Sequence, residues 1–221
     1  MRRWRRLMGM KQILVVMAAM VLVGCSEDTR KAAPVPPASK NIIADNIVDK
    51  AIRKELGKPI SVLTNADLEK VTFLNLHRTQ ITDASLKQVA KLQKLEELCL
   101  WGTKITDEGL KEVAKLQKLE WLELAKTQIT DEGLKEVAKL QKLTWLDLTD
   151  TKITDESLKE VTKLRNLTHL KLDLTKITDE GLKEVAKWQQ LERLSLEITQ
   201  VTEAGVGKLQ TALPNCEITG P

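Results

Sequence analysis

Acid–base, nucleophilic and metal chemistry each need particular side chains held within a few ångströms of one another, and the chain offers few of them. Its cysteines are Cys25, Cys99 and Cys216, and its histidines are His77 and His169. No metal-ligand spacing, Ser/His/Asp constellation or phosphate-cradling glycine loop connects them. What recurs instead is aromatic and acidic: Phe73, Glu97, Trp121, Trp145 and His169 follow one another at intervals of 24 residues, as do Cys99, Glu123 and Asp147. Indole rings beside carboxylates have the composition of a recognition surface, in which aromatic area supplies affinity and polar groups supply orientation. Glu123 and Asp147, about 5 Å apart on neighbouring units, fit a retaining glycosidase only formally, because an acid catalyst needs an enclosed site to raise its pKa. His77 falls one unit before Cys99 and His169 three units after it, so no nucleophile–base pair forms. No catalytic residue, metal or cofactor is therefore expected.

These positions are set by a repeat. Ile81, Ile105, Ile129, Ile153, Ile177 and Val201 occupy one position of a 24-residue period, and Leu74, Leu98, Leu122, Leu146, Leu170 and Leu194 another. In Leu98-Cys99-Leu100 and its copies, alternation marks a short strand with inward leucines, and stacked strands form a parallel sheet. In Asp107 to Leu116, the spacing of Leu110, Val113, Ala114 and Leu116 marks a helix packed behind it. Thr106 and its equivalents stand where an N-cap belongs, with acids in the first turn and lysine near the end. The second threonine column, Thr79 through Thr199, is expected to bond turn backbone between rungs, and Gly109, Gly133, Gly181 and Gly205 to permit close packing. The segment Leu213 to Ile218 reproduces the strand pattern and closes the sheet, with Cys216 inward. Seven rungs at ~4.8 Å span about 29 Å, which leaves Cys99 and Cys216 too far apart for a disulfide.

Aligned repeats place three columns on the open face of the sheet. The first is Phe73, Glu97, Trp121, Trp145, His169 and Arg193; the second Asn75, Cys99, Glu123, Asp147, Lys171 and Ser195; the third His77, Trp101, Ala125, Thr149, Asp173 and Glu197. They hold both histidines and, Trp4 aside, every aromatic residue except Trp188, which falls at a core position. Aromatics suit exposed strand positions in general, and Trp121 and Trp145 lie in near-identical repeats. Against that, Trp101 is expected close to the Trp121/Trp145 pair, with Glu97, Glu123 and Asp147 around them as a polar rim. The Lys/Glu-rich helices read as a solvated convex face.

Upstream the composition changes. Arg2, Arg3, Arg5, Arg6 and Lys11 precede an uncharged run from Ile13 to Val23, well short of the ~20 residues of a membrane span, so residues 1–24 read as a secretory signal starting at Met1 or Met10. Residues 26–40, with Pro34, Pro36 and Pro37, read as an extended tether. Helical spacing from Ile42 to Leu56, the stop at Gly57-Lys58-Pro59 and a further turn from Asn65 to Lys70 predict a cap over the apolar end of the first repeat. Without the signal the chain carries 30 basic against 31 acidic residues, a balance that gives no warrant for nucleic-acid binding.

Leu22-Val23-Gly24-Cys25 resembles the bacterial lipobox, which implies cleavage before Cys25 and fatty acylation, as by palmitate, at its sulfur; Ser26 then favours outer-membrane sorting. The unit L-x-x-L-x-L-x-x-T-x-I-T-D-x-x-L-K-x-V-x-K-L resembles the leucine-rich repeat, with Thr-Asp-Glu-Gly-Leu closest to the cysteine-containing, ribonuclease-inhibitor-like subclass. Val48 to Leu76 resembles the N-terminal cap of bacterial leucine-rich-repeat proteins. The resemblance implies an α/β solenoid with a short parallel sheet on the concave face, helices on the convex face and a helical cap. The expected organisation is a signal at 1–24, a lipidated tether at 25–40, the cap at 41–70 and the solenoid with its terminal strand at 71–221. The resemblance also implies a binding module of the cell envelope, facing the periplasm or exterior and touching the membrane only through Cys25. Its protein or peptide partner would be held by Phe73, Glu97, Trp101, Trp121, Glu123, Trp145, Asp147 and His169. A glycan stacked on the tryptophan faces would use the same residues, whereas a purely structural envelope protein would have no ligand on this face.

Overall fold

Inward leucines alternating with polar residues produce strands only three residues long. In the computed structural model, which describes residues 45–60 and 62–221, they are β1 (Phe73–Asn75), β2 (Glu97–Cys99), β3 (Trp121–Glu123), β4 (Trp145–Asp147), β5 (His169–Lys171), β6 (Arg193–Ser195) and β7 (Glu217–Thr219). They pair in parallel in chain order, each residue opposite its copy 24 positions on. Each strand begins one residue earlier than alternation predicts. The ladder nevertheless runs on past it, with Leu100 N–H donating to Glu123 C=O at 2.9 Å and Gly102 N–H to Ala125 C=O at 2.8 Å. The expected signal, Cys25, the tether and residues 41–44 lie outside the described residues, all of which belong to the unit Ser39–Pro221.

Behind the sheet lie α3 (Asp83–Val89), α4 (Asp107–Val113), α5 (Asp131–Val137), α6 (Asp155–Val161), α7 (Asp179–Val185) and α8 (Glu203–Ala212), preceded by α1 (Asn46–Leu56) and α2 (Asn65–Leu68) of the cap. α4 stops at Val113 rather than at Leu116, because Ala114 caps it and a turn from Val113 C=O to Leu116 N–H carries Leu116 into the core. Leucines of both layers, with Trp188, form one continuous buried cluster. On the convex side lysine–glutamate pairs three residues apart, such as Lys111–Glu108 and Lys183–Glu180, stay exposed, as expected of a solvated face. Pairs of this kind contribute only about 0.3 kcal/mol each.

Adjacent repeats are joined by a bond pattern that periodicity did not reveal. From α4 to α8 the hydroxyl and N–H of the N-cap threonine donate to the aspartate opening the preceding helix: Thr106 to Asp83 at 2.7 and 2.9 Å, Thr130 to Asp107 at 2.6 and 2.8 Å, and Thr154 to Asp131 at 2.7 and 2.7 Å. Capping by the same hydroxyls is looser, at 3.4 Å from Glu108 and Glu132 N–H. The other threonine column corrects the expectation of bonds between rungs: Thr103 donates to Leu100 C=O at 2.7 Å and Thr127 to Leu124 C=O at 2.6 Å, three residues back in the same rung. A Cβ on Gly109 would lie 2.4 Å from Asp83 Oδ1 and 2.7 Å from Leu86 Cδ1, so the glycine column is close-packed as expected.

The cap is built from local bonds. The Asp45 carboxylate accepts from Ile47 and Val48 N–H, and α1 ends at Gly57 with φ 64°, the left-handed conformation that glycine adopts without a Cβ penalty. Thr64 and Asp67 form a reciprocal capping box on α2. Lys58 Nζ, 2.6 Å from Asp67, holds that carboxyl well below the usual range, helped by bonds from Thr64. Val48 and Ile52 close the end of the core.

Candidate functional site

Register decides which side chains meet on the open face. Phe73, Glu97, Trp121, Trp145, His169, Arg193 and Glu217 form one continuous ladder, and Asn75, Cys99, Glu123, Asp147, Lys171, Ser195 and Thr219 the next. Trp121 and Trp145, opposite one another on β3 and β4, stack with ring centroids 3.6 Å apart and planes inclined by 6°. Strand spacing is ~4.8 Å, so the rings lean together to reach contact. Because the stack runs from strand to strand, the ring planes stand across the sheet and present edges, not a broad face, to solvent.

Lys171 Nζ lies 5.9 Å from the Trp145 ring centroid, within cation–π reach. His169 is half-buried at the end of the pair; burial lowers its pKa, and its Nδ1 is 2.9 Å from the Thr168 hydroxyl. Two of the three carboxylates have local bonds. Asp147, only 6% exposed, accepts from Thr149 N–H at 2.9 Å, and Glu123 accepts the Cys99 thiol proton at 2.6 Å. Burial, reinforced by Glu123, pushes the Cys99 thiol up to about 12, so little thiolate exists at neutral pH. Glu97 is half-buried, and its carboxylate has no hydrogen-bond or ion-pair partner among the described residues.

Trp101 does not join the stacked pair. Its ring contacts are His77, with centroids 6.0 Å apart, and the Arg78 guanidinium 4.2 Å above its ring. The third column opens onto a tight bend in which Arg78, Gly102, Lys126, Asp150, Leu174 and Ile198 all take left-handed φ between 53° and 66°. This bend is what turns Arg78 back over Trp101. Only Gly102 of the six lacks a Cβ, so residue type gave no signal for it. Phe73 is half-buried at the first rung. Towards the C-terminal end Asp173 accepts from the Ser195 hydroxyl at 2.5 Å and Glu197 N–H at 2.8 Å, and Arg193 pairs with Glu217 at 2.9 Å, while the exposed Glu197 carboxylate has no partner among the described residues. On β2 to β5 the Glu97 carboxylate therefore stays open beside the tryptophan pair, with the exposed Lys171 beyond it. Among the described residues no group of three or more side chains could hold a metal ion.

Sheet, helices and cap together define an α/β solenoid of leucine-rich repeats. Four successive segments, residues 91–114, 115–138, 139–161 and 163–186, match the family described as Leucine Rich repeat. Among solved structures, the chain is similar to an internalin of Listeria monocytogenes, with 25% identity, a TM-score of 0.63, and coverage of 81% of this chain and 56% of that one. It is likewise similar to internalin C2 of Listeria monocytogenes, with 27% identity, a TM-score of 0.64, and coverage of 81% and 77%. The chain thus spans little more than half the length of the first of these. No curated protein matches it. No helix among the described residues is long and apolar enough to cross a membrane.

Proposed function

We propose that the chain is an extracytoplasmic binding module, lipid-anchored through Cys25, that holds a protein or peptide partner on the sheet face around Trp121 and Trp145. The stacked indole pair carries this reading. The fold needs only the inward leucines of β3 and β4, so nothing in its packing requires two large aromatics outside. Their edges, with Glu97 open beside them, Glu123 and Asp147 bonded in the next column and Lys171 at the far end, form an apolar centre with a charged rim. Phe73 and Trp101 extend the surface towards the first rung, and His169 bounds it on β5. Solenoid sheets of this kind commonly serve as extended binding surfaces. A peptide suits the geometry better than a sugar, because the stacked pair turns ring edges rather than a broad face to solvent.

The test is selection of a displayed random-peptide library against the mature chain, with a glycan array in parallel. Enrichment of a peptide motif, with no sugar binding, is the expected result; sugar binding without peptides would reverse the assignment. For the anchor, Cys25→Ala should abolish fatty-acid labelling and leave an unprocessed precursor, and label that persisted would remove Cys25 as the attachment site.

A further inference from the structure

We infer that the cap is a membrane-docking surface, in which Ile60 and Val62 enter the interface of an anionic bilayer while Lys50 and Lys54 meet its headgroups. This rests on the Cys25 anchor and adds a second membrane contact that the anchor alone does not supply. Ile60 is 92% exposed and Val62 44%; among the described residues only Leu174 and Ile198 are other large hydrophobics left exposed. Beside them Lys50, Arg53, Lys54, Gly57 and Pro59 line a groove of about 390 Å³. Arg53 is paired with Asp49 at 2.5 Å, whereas Lys50 and Lys54 have no ion-pair partner among the described residues. The groove therefore presents uncompensated positive charge next to exposed apolar groups, the pairing that anionic lipid interfaces select.

The turn is held in place from both sides. Lys58 N–H donates to Arg53 C=O at 2.9 Å, Lys58 Nζ reaches Asp67 at 2.6 Å, and Leu63 is buried in the core. With Leu63 committed inward, Val62 faces out. Each lysine near an anionic surface strengthens association about fivefold, and each buried aliphatic side chain about tenfold. That is marginal for a free protein. For a chain already fixed to the same membrane at Cys25 it is enough, because attachment makes the second contact intramolecular and raises its effective concentration.

The experiment uses the mature, acylated protein in vesicles of mixed phosphatidylglycerol and phosphatidylcholine, with an environment-sensitive dye on Val62→Cys. Cys99 and Cys216, whose thiols burial pushes up to about 12 and about 11, stay unlabelled at neutral pH. Blue-shifted emission, shielded from an aqueous quencher, is expected. Lys50→Glu with Lys54→Glu should weaken docking about 25-fold or more, with an unchanged thermal melt and an intact acyl chain. Ile60→Asp should return the dye to water. A dye that stays aqueous on vesicles carrying the acylated protein would overturn the docking and leave the anchor standing. A chain without fatty-acid label that fails to stay with the vesicles would overturn both, and the missing label tells the two failures apart.

Discussion

Trp121 and Trp145 take their neighbours from the repeat period, since in-register pairing puts like residues on adjacent strands and lets flat rings close to 3.6 Å. The ladder partner could be read from the sequence because it depends only on counting. Ring orientation could not, because it depends on rotamers and on what lies one rung away. Trp101 shows the limit: counting put it near the pair, but the left-handed bend after its column gave it Arg78 and His77 instead. The stack has a measurable consequence. Trp121→Ala and Trp145→Ala should each cost about 0.5–1.5 kcal/mol of stability, and the double variant less than their sum, because the first substitution already destroys the pair. Denaturant melts of the four proteins check this; strict additivity would mean that the rings do not stack in solution.

At the scale of elements, periodicity located every repeat helix but not the bonds that hold one to the next. Helix amphipathicity reports which face is buried, whereas the Asp–Thr staple joins two polar residues 23 positions apart, each already accounted for as a first-turn acid or a cap. Asp131→Ala should cost about 1.5–3 kcal/mol, the range for hydrogen bonds to a charged group, while exposed Glu132→Ala should change stability by no more than about 0.5 kcal/mol. Equal melting temperatures for the two would remove the staple from the account. Its acid dependence has a definite sign. Bonds from Thr202 N–H and hydroxyl lower the Asp179 pKa, so its contribution is present above the ordinary carboxylate value near 3.8 and is lost as pH falls through the lower folded value. Asp67, lowered by Lys58 and Thr64, behaves alike. Acid titration of the melt should show both contributions fading below about pH 4.

For the whole molecule, six in-register copies made the solenoid legible without any tertiary information, because each coil can bury its leucines only against the next. The outward columns could be read as far as their membership, since alternation separates them from the core. Which of their groups remain open could not, because Cys99, Thr149 and Ser195 satisfy Glu123, Asp147 and Asp173 through side-chain and turn bonds that leave no periodic trace. The central claim is that the tryptophan stack, with the open Glu97 carboxylate beside it, binds. Titrating the library-selected peptides against wild-type and Trp121→Ala/Trp145→Ala protein tests it most directly. With about 2 kcal/mol or more for each hot-spot aromatic, affinity should fall several-hundredfold while the melt retains its cooperativity. Unchanged affinity in a folded double variant would contradict the claim and take recognition away from this face of the sheet.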